Sequence, residues 1–272
     1  MNVNPFASAR ELSQLQAGSP RFSVCTMVTD DTLYRLMLQS FANAGFSADN
    51  SEFLWLDNSG ANHFDAYQAI SRFICSARGD YIILCHQDIL LNHDRVEQLE
   101  HCIAELDRLD PHWGLLGNAG GVRLGKIVHR ISDPHGGNLR TGDLPQRVQA
   151  LDENFILLKR AGNPGVSRDL AGFHMYGLDL CLQAALRGYN AYAVDFHLTH
   201  QGKGNRDQQF YQQRDALIEK YRRVLAPAWL QTTCTALFVS GSRWLNRLMN
   251  RPTQIKWAKS YLKRRNRKSG QP

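Results

Sequence analysis

Between residues 22 and 109 three short apolar runs alternate with three amphipathic stretches, and each run breaks abruptly into a polar cluster. Residues 22–28 and 52–56 read as strands, and residues 81–85 as a buried strand. Residues 32–44 carry Leu33, Leu36, Met37 and Phe41 at helical spacing, with Gly45 as the stop. Residues 63–77 read as a second helix closed by Arg78-Gly79, and residues 93–109 as a third with Asn92 as its N-cap. Strand and helix repeated three times predict an α/β fold built on a doubly wound, mostly parallel sheet with helices on both faces. Such sheets bind ligands outside the carboxyl ends of their strands. Thr29-Asp30-Asp31, Asp57-Asn58-Ser59 and His86-Gln87-Asp88 all fall at those ends.

The remainder is less regular. Residues 113–117 read as a strand, 118–142 as a Gly-rich hairpin and mobile loop, and 155–159 as a further strand. Residues 177–187 predict a helix closed by Gly188, residues 191–196 a strand leading to His197 and His200, and 208–224 a polar helix. In a chain of 272 residues this predicts a lead-in over 1–20, one catalytic-sized domain over 21–225, and a basic extension over 226–272.

Charge is unevenly placed. Thirteen of the 32 Lys and Arg lie from Lys220 onward, where no Asp or Glu occurs, so the preceding body holds 19 basic against 25 acidic residues. A mildly acidic body argues against nucleic acid as its partner. Residues 238–268 read as two short helices split at Pro252, with Trp244, Leu245, Leu248 and Met249 on one apolar stripe and Ile255, Ala258, Tyr261 and Leu262 on the other. That is the composition of a helix lying on an anionic bilayer. Packing against the body and a solvated basic end are the two other readings it leaves open. Six scattered cysteines without a C-x-x-C pair, and a polar first segment, predict a cytoplasmic protein, peripheral on the inner membrane face under the bilayer reading. No run approaches the roughly 18 apolar residues of a spanning helix.

The chemistry gathers at Asp88. An apolar strand breaking into His-Gln-Asp sets a carboxylate at the sheet edge, where a hard cation bridging two phosphates needs few protein ligands. A simple turn cap is the other reading of Asp88. The glycines of residues 117–125 lack the G-x-x-x-x-G-K-[ST] order of a phosphate loop, and no G-x-G-x-x-G follows the first strand.

Ala77-Arg78-Gly79-Asp80-Tyr81 running through a strand into His86-Gln87-Asp88 resembles the family-2-like GT-A glycosyltransferases, in the subfamily grouped with a streptomycin-biosynthesis glycosyltransferase. Leu151-Asp152-Glu153, the segment from Phe173 to Leu182, and His200-Gln201-Gly202 continue the resemblance, which spans residues 22–205. It implies a GT-A fold and a metal-dependent, inverting transfer of sugar from a UDP-, GDP- or dTDP-sugar to a hydroxyl acceptor, whether glycan, metabolite or lipid-linked saccharide. A bacterial-type surface polysaccharide would be one such product. The cofactor implied is Mn²⁺ or Mg²⁺.

Residue by residue, Asp88 resembles the metal-binding aspartate, and His86 stands where the usual Asp-x-Asp motif has its first acid. Asp57 resembles the residue that contacts the nucleotide, with Thr29 and Asn58 beside it. Asp179 resembles the catalytic base, and His200 the histidine that completes the metal site. Glu153 and Asp152 would line the acceptor side or orient the sugar, Glu153 as a second catalytic candidate. His174, between Phe173 and Tyr176, reads as structural. A nucleic-acid-binding protein and a catalytically silent GT-A-like binding module are the alternatives to an enzyme.

Overall fold

The computed structural model describes residues 20–134, 137–202, 204, 207–222 and 227–269, so all but the last residue of the expected lead-in lies outside it. The first three strand–helix units form as the apolar pattern dictates. They are β1 (Phe22–Val28), α1 (Asp31–Asn43), β2 (Ser51–Asp57), α2 (Ala66–Ser76), β3 (Tyr81–Cys85), the two-residue β4 (Ile89–Leu90) and α3 (Val96–Leu109). Asp30 caps α1 by accepting from the backbone N–H groups of Thr32 and Leu33. Asp65 and Gln68 close a reciprocal capping box on α2.

The helix expected from residue 93 begins only at Val96, without a side-chain cap. Residues 92–94 are committed elsewhere: Asn92 accepts from the Thr199 hydroxyl, and Asp94 accepts from the His197 backbone N–H.

Beyond α3 come β5 (Trp113–Gly117), β6 (Ala119–Arg123), β7 (Lys126–Asp133), β8 (Gly137–Thr141), β9 (Gln146–Val148), β10 (Ala150–Leu151) and β11 (Phe155–Lys159). The segment expected as a hairpin with a loop is therefore a three-stranded antiparallel ribbon, β6–β7–β8. Then follow α4 (Tyr176–Leu186), β12 (Asn190–Ala193), β13 (Leu198–His200), α5 (Gln208–Tyr221), β14 (Ala228–Gln231), β15 (Ala236–Val239), α6 (Arg243–Met249) and α7 (Pro252–Ser269). The strand expected over 191–196 thus ends at Ala193, and β13 is a separate strand in another sheet.

The main sheet runs β2-β1-β3-β11-β5-β12-β9. β2, β1 and β3 are parallel neighbours, as are β5 and β12, while β11 enters antiparallel between β3 and β5. Five of the seven strands (β2, β1, β3, β5 and β12) therefore run the same way, and only β11 and β9 are reversed, so the sheet is mostly parallel, within the α/β architecture that the repeat predicts. Its strands alternate between two cores, as a two-residue side-chain period requires. Ile82, Leu84, Ile156 and Leu158 face α2, α4 and α5, whereas Tyr81, Ile83, Phe155 and Leu157 face α1 and α3.

A second sheet, β10-β6-β7-β13-β4, packs beside it. Pairing of β13 with β4 sets His200 opposite Ile89, which draws the segment after residue 198 to the end of β3. The Gln201 N–H donates to the Asp88 carbonyl at 3.0 Å and fixes that register.

Residues 236–239, of which Phe238 was expected to open a helix, instead pair with β14 in a hairpin. Leu230, Leu237 and Val239 belong to the same core as α4 and α5. The Thr233 hydroxyl at the turn donates to Asp152 at 2.7 Å, tying the hairpin to the site. The two helices around Pro252 form as the stripes predict, and Ile255, Ala258 and Leu262 pack against Leu124, Trp229 and Ala236. No helix among the described residues is long and apolar enough to cross a membrane.

Candidate metal and donor site

Asp88 lies three residues beyond the end of β3, and His200 ends β13, so the meeting of two sheets brings together residues 112 positions apart. His200 Nε2 lies 3.5 Å from Asp88 Oδ1, and His86 Nδ1 lies 4.0 Å from the same oxygen. The two imidazoles approach to 3.4 Å, and one donor atom from each of the three residues falls within 4.8 Å of the others. Two imidazole nitrogens and a carboxylate oxygen form a donor set suited to a divalent ion such as Mn²⁺. Gly202 keeps the space beside them open: a Cβ there would sit 2.5 Å from Asp88 Oδ2 and 3.1 Å from His200 Nε2.

The hydrogen bonds fix which nitrogen His86 presents. Tyr176 Oη donates to the Glu153 carbonyl at 3.0 Å and meets His86 Nε2 at 2.9 Å. A hydroxyl with its only proton on that carbonyl must accept from His86, so Nε2 carries the proton and Nδ1 offers its lone pair to the cluster. Burial, with the charge of His200, pushes the His86 imidazole below its ordinary range and favours this neutral form. Burial would raise Asp88, but His200 and His86 hold its carboxyl below the usual range. Burial acts downward on His200, and contact with Asp88 outweighs it and raises the imidazole.

A cleft of about 250 Å³ opens beside His86 and Asp88, between the ends of β1 and β3 and helix α2. Met27, Ile70 and Phe173 give it apolar walls, and Thr29 and Asn58 also line it. Gln87 braces its floor, its Oε1 accepting from the backbone N–H of Thr29 and of Asp30 while its Nε2 donates to the Thr29 hydroxyl. Asn58 is buried and exchanges two hydrogen bonds with the backbone of Phe64, so it shapes the wall rather than reaching inward. Asp57 ends β2 at the same edge but does not line the cleft. Its Oδ1 accepts from the N–H and hydroxyl of Ser59, which hold its carboxyl below the usual range.

Glu153 and Asp179 sit on either side of the start of α4 and differ in kind. Met175 stands at φ 69°, a left-handed conformation that costs a non-glycine residue about 1–3 kcal/mol. That turn directs the N–H groups of Met175, Tyr176 and Gly177 at the Glu153 carboxylate, the last at 3.1 Å. A Cβ on Gly177 would lie 2.5 Å from the Leu151 carbonyl oxygen and 3.0 Å from Glu153 Cγ, so glycine is what lets strand and helix approach so closely. Burial pushes the Glu153 carboxyl up to about 8 despite these donors, with the neighbouring Asp152 charge adding to the rise. Glu153 nevertheless remains partly exposed.

Asp179, expected as the base, is 0% exposed. It accepts from Ser167 N–H at 2.7 Å, from Ser167 Oγ at 2.6 Å and from Tyr221 Oη at 2.6 Å. A carboxylate so enclosed can take no proton from a molecule in the cleft; it ties α4 and α5 to the loop at Ser167.

Asp152 accepts from Asn154 and Thr233, which hold its carboxyl below the usual range although burial would raise it. His174 packs edge-on against Phe210, 5.3 Å between ring centres, in the structural role expected of it. Tyr176, Gln87 and Gly202 all lie inside motifs visible in the sequence, but only their three-dimensional neighbours reveal what they do.

No protein-family model matches the chain. Among solved structures it is similar to the mannosyltransferase PcManGT from Pyrobaculum calidifontis, determined with GDP-Man and Mn²⁺, at a TM-score of 0.53 and 13% identity over 76% of this chain and 66% of that one. It is also similar to TarS of S. aureus, at a TM-score of 0.50 and 12% identity over 76% of this chain and 40% of that one. The fold is that of the GT-A glycosyltransferases, although the chain spans less than two thirds of either neighbour. A curated relative from Fuscovulum blasticum, named "ATP synthase subunits region ORF 6", a name that states no activity, is 39% identical over 209 residues, or 74% of this chain and 84% of the relative. At that identity and coverage, the chain belongs to the same family as the Fuscovulum blasticum protein.

Proposed function

We propose that the protein is a glycosyltransferase that moves a sugar from a nucleoside-diphosphate donor to a hydroxyl acceptor with inversion. The observation that carries this is the cluster of His86, Asp88 and His200 at the mouth of the cleft, with Glu153 one tyrosine away. His86 Nδ1, His200 Nε2 and an Asp88 oxygen would hold a divalent cation. When bound, that cation would neutralise charge growing on the diphosphate leaving group.

The chain's own residues supply the rest. The cleft bounded by Met27, Thr29, Ile70 and Phe173 takes the nucleoside, and Gln87 keeps the ends of β1 and β3 at fixed separation. Glu153 accepts the acceptor's hydroxyl proton as the new bond from that oxygen to the anomeric carbon forms. The bond from that carbon to the diphosphate breaks on the opposite side, and the nucleoside diphosphate departs. General-base help of this kind is worth about 10²–10⁴-fold. The three N–H groups facing Glu153 orient its carboxylate, and burial keeps it basic enough to accept a proton near neutral pH. The PcManGT complex with GDP-Man and Mn²⁺ supports this class of donor and ion.

The test is a thermal-shift titration with UDP, GDP and dTDP, each with and without Mn²⁺, followed by donor hydrolysis with the sugar of the nucleotide that binds. Stabilisation by one nucleotide only when Mn²⁺ is present is the expected result. Absence of any response to all three, with or without the ion, would sink the enzyme and favour a binding module.

A further inference from the structure

The C-terminal helices carry chemistry that sugar transfer does not use. α7 commits Ile255, Ala258 and Leu262 to the body and leaves Trp257 and Tyr261 outward. On that outer face Trp257 and Tyr261 are 61% and 54% exposed, their rings stacked 5.7 Å apart at 18°. Lys256, Lys263 and Arg264 of the same helix are exposed as well. On α6, Trp244 is 71% exposed, more than any other large apolar side chain described. Large aromatic faces left in water mark a surface that something covers.

A second observation lies between α5 and α6, where a cleft of about 370 Å³ is lined by four arginines, Arg214, Arg243, Arg247 and Arg251, against two carboxylates, Asp215 and Glu219. Arg214 is paired with Asp215 at 2.7 Å and Arg243 with Glu219 at 3.1 Å. The guanidiniums of Arg247 and Arg251 meet no carboxylate among the described residues. Arg243 and Arg247 lie one helical turn apart on α6, Arg251 stands between α6 and α7, and Trp244 adjoins the first. No acidic residue follows Glu219 in the chain, so nothing C-terminal to it competes for these cations.

We propose that α6 and α7 form a docking surface for an anionic phospholipid bilayer. Arg247 and Arg251 take lipid phosphates into the cleft, and Trp244, Trp257 and Tyr261 enter the headgroup layer. Guanidinium forks match phosphate oxygens two at a time, which a diffuse basic tail would not do. Rings with an apolar body and a polar edge belong at the boundary between water and lipid. Because α7 is already folded and held by its inner stripe, docking needs no refolding. The inference is independent of sugar transfer and would stand or fall without it.

Sedimentation of the full chain with phosphatidylcholine vesicles, and with vesicles in which part of that lipid is replaced by phosphatidylglycerol, tests it. Binding to the anionic vesicles alone, weakened by added salt, is the expected result. The pairs R247E/R251E and W257A/Y261A should each weaken binding about tenfold or more while leaving the Tm in place, since these side chains lie outside the core. Equal binding to neutral vesicles, no binding to either, or wild-type binding by both variants would overturn the proposal. So would tighter binding to a double-stranded DNA fragment at the same salt.

Discussion

Replacing Asp179 with asparagine separates a structural carboxylate from a catalytic one. In the folded protein Asp179 accepts three hydrogen bonds at 2.6–2.7 Å, one from a backbone N–H and two from hydroxyls. The amide oxygen of an asparagine can keep the Ser167 N–H. Its NH₂ must then face Ser167 Oγ and Tyr221 Oη, both of which already receive a hydrogen bond from Gln183 Nε2, at 3.2 and 2.8 Å. The hydroxyls can turn to accept the amide, but their own protons are then left with no better acceptor than each other at 3.4 Å. Orphaning one buried O–H costs about 1–3 kcal/mol, and bonds to a neutral amide are weaker than those to a carboxylate, so Asp179→Asn should cost about 2–4 kcal/mol in all. For a chain of this size that lowers the Tm by roughly 4–16 °C. The assay is thermal and urea unfolding alongside Mn²⁺-dependent nucleotide binding and turnover per folded molecule. An Asp179→Asn protein that melts with the wild type yet has lost turnover would refute the reasoning and restore Asp179 as the base.

Four further outcomes can be measured. Gly202→Ala, at a negative φ and away from the core, should fold normally but set a methyl against Asp88 and His200, weakening Mn²⁺ binding by calorimetry about tenfold or more. Tyr176→Phe removes the acceptor that keeps the proton on His86 Nε2, and Mn²⁺ affinity should fall about 10–100-fold while nucleotide affinity without the ion is unchanged. Glu153→Gln should slow transfer about 10²–10⁴-fold and abolish the acid limb of the rate profile, which in the wild type should lie around pH 8. The same carboxyl has a sign in stability: a pKa raised to about 8 means the folded protein holds a proton that the unfolded chain has released. Wild-type stability should therefore decline between about pH 4.3 and pH 8, and Glu153→Gln should flatten that slope in urea titrations.

Much of this protein is written locally. The runs at 22–28 and 81–85 became β1 and β3, central strands of the sheet with continuous apolar content, while the run at 52–56 became β2, the half-exposed strand at its edge. Their carboxyl ends set Thr29, Asn58, His86 and Asp88 at one edge. The second helix, expected from residue 63, starts at Ala66, where Asp65 and Gln68 close its capping box.

What sequence could not carry was everything that depends on partners far along the chain. The antiparallel entry of β11 leaves no mark in its own five residues, since a fully buried strand reads alike in either direction. Asp179 and Glu153 both stand beside the start of α4, and the resemblance implies Asp179 as the base with Glu153 only a second candidate. Only the fold puts one inside a closed set of donors from Ser167 and Tyr221 and leaves the other partly open. His200 reaches Asp88 through a two-residue pairing of β13 with β4, and Gly202 leaves room for an ion because of what lies across from it. Periodicity and capping act over a few residues and can be read directly, whereas burial, protonation and ligand geometry are set by which distant segments meet. That meeting is decided by packing the whole chain at once.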